Sequence, residues 1–137
     1  MRPSGISRAI RQQVMEQAHY RCEYCLLSVD LSFQPFEVDH IIARKHGGKT
    51  ELGNLALSCP PCNKHKGSDI GSIDPIGDLL VPLFHPREDR WADHFRLDGA
   101  HIQPLTDRGR VTVFLLRFNS ERRLRERGLF PPDSSAC

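Results

Sequence analysis

No apolar stretch in the chain approaches the roughly 18 residues that a membrane-spanning helix requires, so a helical membrane protein is excluded and no membrane partner is expected. The polar stretch Met1 to Ile10 has no apolar core of the secretory-signal kind, and a cytoplasmic location is the expectation. Internal repeats and low-complexity segments are missing, so nothing asks for a repeat architecture. A strong charge of one sign is also lacking. With 19 Lys and Arg against 17 Asp and Glu, the net charge of +2 does not by itself identify a nucleic-acid partner.

What is present fits one domain with a modest core: 137 residues, 39% apolar and 26% charged. The charge is unevenly spread. Residues 1–68 carry a net +3, residues 69–107 a net −5 and residues 108–137 a net +4. Two basic ends around an acidic middle hint at an anionic partner, although ordinary surface variation gives the same pattern.

Four of the five cysteines form two pairs, Cys22-Glu23-Tyr24-Cys25 and Cys59-Pro60-Pro61-Cys62, and Cys137 reads as a bystander. Without a secretory signal, metal binding is a better reading than disulfides. Two Cys-x-x-Cys knuckles make a closed tetrahedral zinc site, which is structural because no position remains for water or substrate. The 33 residues between Cys25 and Cys59 exceed a zinc-ribbon gap, so a whole element is inserted there.

The expected elements follow from local signals. Residues 7–19 read as a helix, with Ser7 as N-cap and Ile10, Val14 and Ala18 on one face. Residues 36–42 read as a strand, 44–50 as a glycine-containing loop and 55–57 as a second strand. The second knuckle opens a short helix that starts at Pro60-Pro61 and ends at Gly67. Leu79 to Phe84 is apolar enough to pack on the core. Residues 95–97 and 101–105 read as short strands around Asp98-Gly99, 107–117 as a helix capped by Thr106, and 120–127 as an Arg-rich helix. Residues 131–137 look like a frayed tail.

Between and within the knuckles lie Glu37-Val38-Asp39-His40-Ile41-Ile42, Gly47-Gly48, Asn54-Leu55 and Cys62-Asn63-Lys64-His65-Lys66. Together these resemble the HNH endonucleases, or ββα-metal nucleases, over about residues 19–68. The segment from roughly Leu80 to Phe130 is similar, less specifically, to the C-terminal extension of bacterial stand-alone members. The resemblance implies an α+β fold: a small ββα-metal core with a four-cysteine zinc site, flanked by an N-terminal helix and a mixed C-terminal extension. The whole chain, 1–137, is read as a single domain, with its extension over 69–130.

The resemblance also implies roles. His40 holds the place of the general base, and Asn54 that of the residue orienting it. Asp39 and Asn63 hold the places of the catalytic metal ligands. The chain departs from the eponymous pattern in having Asn63 where the third-motif histidine stands. Family members with asparagine there are active, so the departure bears on metal identity more than on activity. An imidazole suits the task because its ordinary pKa lies near 6.5. Oxygen ligands from Asp and Asn suit Mg2+ or Mn2+. Strand alternation would place Asp39 and His40 on opposite faces, so the strand must twist or end there.

The reading is therefore a divalent-metal-dependent DNA endonuclease with structural zinc at Cys22, Cys25, Cys59 and Cys62. The alternative is a zinc-stabilised nucleic-acid-binding module without cleavage. Arg44, Lys45, Lys49 and Lys66, and Arg122, Arg123 and Arg127 in the last helix, are candidate phosphate contacts, with solvated surface charge as the competing reading. Trp91 and Phe95 fit core packing better than base stacking. Sequence specificity, physiological role and oligomeric state are not legible.

Overall fold

A computed structural model describes residues 6–132. The tail expected over 131–137 lies outside the described residues beyond Pro132, as do Cys137 and residues 1–5.

The chain enters through helix α1, Arg8–Gln17, whose N-cap Ser7 accepts a hydrogen bond from the Ile10 amide. Its Val14 is fully buried. The first knuckle follows, and then strands β1, Glu37–His40, and β2, Leu55–Ser58, pair antiparallel with Asp39 opposite Ala56 and His40 opposite Leu55. Every residue of β2 is buried. With α1 packed against it, this strand forms the centre of the N-terminal half. Helix α2, Pro60–Lys66, is capped by Cys59, whose sulfur accepts from the Cys62 amide, and it ends at Gly67.

β1 is shorter than the expected strand over 36–42, for a local reason. Once its partner β2 begins at Leu55, Ile42 has no strand backbone opposite. The Asn54 side chain replaces it, accepting from the Ile42 amide at 2.8 Å and donating to the Ile42 carbonyl at 3.0 Å.

Beyond α2 lie a hairpin of β3, Gly71–Ile73, with β4, Leu80–Pro82, and the short helix α3, Trp91–His94. A second hairpin pairs β5, Phe95–Asp98, with β6, His101–Pro104. Helices α4, Asp107–Leu116, and α5, Glu121–Leu129, complete the fold. Neither β3 nor α3 is legible in the sequence. β3 is three residues long and depends on its partner, and α3 is a single turn. Thr106 caps α4 as expected, accepting from the Gly109 amide. The ring of Phe95 contacts those of Phe84, Trp91 and Phe118 with centroids 5.2, 4.9 and 5.5 Å away, so Trp91 and Phe95 are packing residues. The fold class is α+β as expected.

Helix α5 carries a correction. Arg123 and Arg127 are buried, not surface cations. Arg127 donates to the carbonyls of Ala100, Cys25 and Phe118. Arg123 donates to the carbonyl of Leu116 and to the Cys62 sulfur, the latter at 3.0 Å. Neither guanidinium reaches the surface to meet a phosphate, and their charge serves the interior. Lys66 is corrected likewise. It is 2% exposed, with its ammonium 3.1 Å from Asp39.

Candidate active site and four-cysteine cluster

The sulfurs of Cys22, Cys25, Cys59 and Cys62 lie within 4.8 Å of one another, and all four residues are buried. None is in a disulfide. Thiolates about 2.3 Å from a tetrahedral zinc ion stand about 3.8 Å apart, and the Cys25 and Cys59 sulfurs are 3.6 Å apart. In each knuckle the second cysteine's amide donates to the first cysteine's sulfur at 3.5 Å, which fixes the direction of its lone pairs. The donor set and spacing fit zinc. Four thiolates around one Zn2+ leave two negative charges, and the Arg123 guanidinium beside Cys62 offsets part of them. Burial alone would lower the Arg123 pKa, but the neighbouring cysteines hold it above its ordinary value.

The first knuckle reaches the candidate catalytic residues through Tyr24, a contact not anticipated from the sequence. Its hydroxyl donates to Asp39 Oδ2 at 2.7 Å. Burial, and then the Asp39 charge, raise its pKa well above the usual phenol value, so it remains a donor. Lys66 approaches from α2, 3.1 Å from Oδ2 and 3.3 Å from Oδ1, and also donates to the His40 carbonyl at 3.2 Å. Asp39 is 6% exposed. Burial raises its pKa, opposed by Lys66 and Tyr24.

His40 closes β1 and is partly exposed. Its Nε2 lies 2.8 Å from the Thr50 hydroxyl oxygen. When Nε2 carries the proton and donates it there, Nδ1 is left as the base. Burial, then the charges of Arg44 and Lys66, lower the His40 pKa against the pull of Asp39. The neutral, proton-accepting form therefore prevails at pH 7. Thr50 was not singled out from the sequence. Its only signal is a hydroxyl at the end of the glycine loop.

The hydrogen bonds of Asn54 go to backbone rather than to the imidazole. Besides gripping Ile42, its amide donates to the Lys49 carbonyl at 2.9 Å, and its own backbone carbonyl accepts from the Ile41 amide at 2.8 Å. It pins the two ends of the 41–50 loop, and so the backbone that follows His40 and the one that delivers Thr50. Gly48 is required for that closure, since a Cβ there would lie 1.7 Å from the Ile42 carbonyl oxygen. Gly47 turns the loop at φ +92°, a conformation that favours glycine.

Asp39, His40 and Asn63 line one shallow cleft, together with Glu37, Arg44 and Ser68. The opposite-face difficulty is resolved because β1 ends at His40, beneath α2. Arg44, Lys45 and Lys49 lie on the adjoining loop, Lys45 exposed and facing solvent. Arg122 lies apart on α5, exposed and 3.2 Å from Glu126. His65, the next histidine along α2, is held below the usual range by burial and then by Arg117, Arg123 and Lys64.

Residues 22–69 match the family model described as HNH endonuclease. The match runs from the first cysteine of the cluster to just beyond α2, about a third of the chain, and so includes both knuckles and every residue of the cleft. No curated protein and no solved structure matches the chain.

Proposed function

We propose that the protein is a divalent-metal-dependent endonuclease that hydrolyses DNA phosphodiester bonds. The observation that carries this reading is the convergence of Asp39, His40 and Asn63 on one cleft inside the segment that matches the HNH endonuclease model. His40 takes a proton from the attacking water at its free ring nitrogen, while Thr50 holds the ring from the other. Asp39 and Asn63 present hard oxygen donors that suit Mg2+ or Mn2+. Held by these two residues, such a cation would supply charge stabilisation at the phosphate and at the leaving O3′. Tyr24 and Lys66 fix the Asp39 carboxylate in orientation, and Lys66 favours its ionised form. Arg44, at the cleft edge, is placed to meet a neighbouring phosphate.

One observation favours the second reading, a zinc-stabilised nucleic-acid-binding module without cleavage. Asp39 is nearly enclosed, with both oxygens already bonded to Tyr24 or Lys66. A carboxylate has about four lone-pair directions, so room for a cation remains, but a competing ammonium is built in. A plasmid-nicking assay separates the readings. The zinc-loaded protein is expected to nick with Mg2+ or Mn2+ and not without added divalent metal, and well-folded His40→Ala protein is expected to be nearly inactive. Binding without nicking under every metal would establish the second reading.

A further inference from the structure

A second cavity, about 610 Å3, borders α2 at Pro60, Pro61, Lys64 and His65. Its lining combines apolar Leu31, Phe33 and Pro61 with the cations Lys64, Arg117 and Arg122. Between it and the catalytic cleft lies a smaller hollow that shares Lys64 with the one and Asn63 with the other. A continuous track therefore runs from His40 across the start of α2 to the turn between α4 and α5.

Three observations point to its occupant. Phe33 is fully exposed, at 105% of its reference area, beside this track. Lys64, Arg117 and Arg122 are exposed cations; among the described residues the acids along the track are Glu126, shared with Arg122, and Glu37, at the end nearer His40. Arg117 sits at φ +54° as the C-cap of α4, a position that glycine or asparagine occupies with least strain. The chain keeps a long cation there at a conformational cost.

We propose that this track holds a single-stranded stretch of nucleic acid, its phosphates on Lys64 and Arg117 and an unpaired base stacked on Phe33. The ligand class rests on the nuclease reading of the adjoining cleft. The single-stranded character comes from the ring. A paired base offers its edges in the grooves and hides its faces in the stack, whereas an unpaired base can lay a face on an aromatic side chain.

The test uses the full-length, zinc-loaded His40→Ala protein, so that binding is read without cleavage. Fluorescence anisotropy would measure affinity for a short oligothymidylate and for a blunt duplex of equal length across a salt series. Tighter binding of the single strand is expected. Phe33→Ala should weaken it about tenfold, as removal of one stacked base does, with the duplex affected little. Arg117→Gly should weaken binding and flatten the salt dependence by about 0.7 in the log–log slope for each single-strand phosphate that the protein no longer neutralises. Because glycine suits that backbone, Arg117→Gly should melt no lower than its parent, so weaker binding would not reflect a folding defect. Unchanged single-strand affinity in Phe33→Ala, or an unchanged salt slope in Arg117→Gly, would overturn the proposal. So would equal competition by polyglutamate, which would make the track a site for acidic protein. If the wild type fails to cut plasmid while these effects hold, the nuclease reading falls and the track stands. If cutting holds while they are absent, only the track falls.

Discussion

Lys66 shows how one buried side chain can organise a site. Its ammonium joins α2 to β1 through Asp39 and through the His40 carbonyl, so it sets the distance between the helix and the end of the strand. Removing it would leave a buried carboxylate without its cation, a change that costs roughly 3–5 kcal/mol. Lys66→Met is therefore expected to lower the unfolding free energy by several kcal/mol, measurable by urea denaturation. His40→Ala should act differently, because the imidazole is partly exposed and its ring is held by the Thr50 hydroxyl. Cleavage is expected to fall by roughly 10²–10⁴-fold, with divalent-metal affinity and melting temperature nearly unchanged. Thr50→Val should lower the rate while leaving metal affinity intact, since the hydroxyl orients the ring and supplies no ligand. Single-turnover cleavage rates with parallel metal titrations would check both. A His40→Ala protein that cuts at the wild-type rate would remove His40 from the mechanism.

At the scale of elements, one ion pair and the buried arginines of α5 tie the C-terminal extension to the nuclease-like segment, and a second ion pair braces the extension internally. Arg87 grips Glu23 of the first knuckle at 2.6 and 2.8 Å, and Glu23 is bonded in turn to the backbone of β2 at Leu57. Arg110 of α4 holds Asp74, at the end of the β3 strand, with two contacts of 2.7 Å. That bond to Arg110 keeps the Asp74 carboxyl well below the usual range. A lowered carboxylate pKa stabilises the fold above the unfolded value of about 3.9, and the benefit is lost progressively as pH falls from there through the lower folded value. Asp74→Asn should therefore melt below the wild type by a constant margin between about pH 5 and 8, well above the ordinary carboxylate range, and the margin should shrink below about pH 4. Comparing the two proteins at each pH cancels the acid lability of the cysteine cluster, which they share. A margin independent of pH would show that the pair adds nothing through ionisation. Arg123 is the corresponding link from α5 to the cysteines. Arg123→Met should cost on the order of tenfold or more in zinc retention, as removal of an outer-shell partner does, read by competition with a chromophoric chelator.

Over the whole molecule, the cysteine cluster is the point where separate parts of the chain meet. It joins knuckles 33 residues apart, contacts α5 through Arg123 and adjoins Tyr24, which in turn holds Asp39. The described core has no substitute for that junction, because the four cysteines are themselves part of it. Stripping the metal should therefore abolish cooperative thermal unfolding, seen as disappearance of the near-ultraviolet signal of Trp91, and zinc should restore it. Cys59→Ser should behave in the same way. Full native signal and cooperative melting in metal-free protein would refute the structural role.

Much of the ββα segment was legible because its signals are local: a Ser cap before an apolar 3–4 repeat, β-branched and aromatic residues at 36–42, paired prolines at a helix start and the spacing of the two knuckles. The placing of Asp39, His40 and Asn63 together was an expectation from resemblance, since spacing alone placed Asp39 and His40 on opposite faces; Asn54 stands instead on the backbone of the loop. What local signals could not show was which cations face inward. Lys66, Arg123 and Arg127 read like any surface charge along the chain, and only packing supplied their partners: a carboxylate fixed by Tyr24, a cysteine sulfur and carbonyls left at the ends of other elements. A charged side chain enters a core only when such partners are already in place. Residue types and spacing therefore determined the four-cysteine cluster that can hold zinc, and resemblance supplied the candidate chemistry. The tertiary structure decided which arginines and lysines belong to the interior and which remain for a substrate, because that choice depends on partners distant in sequence.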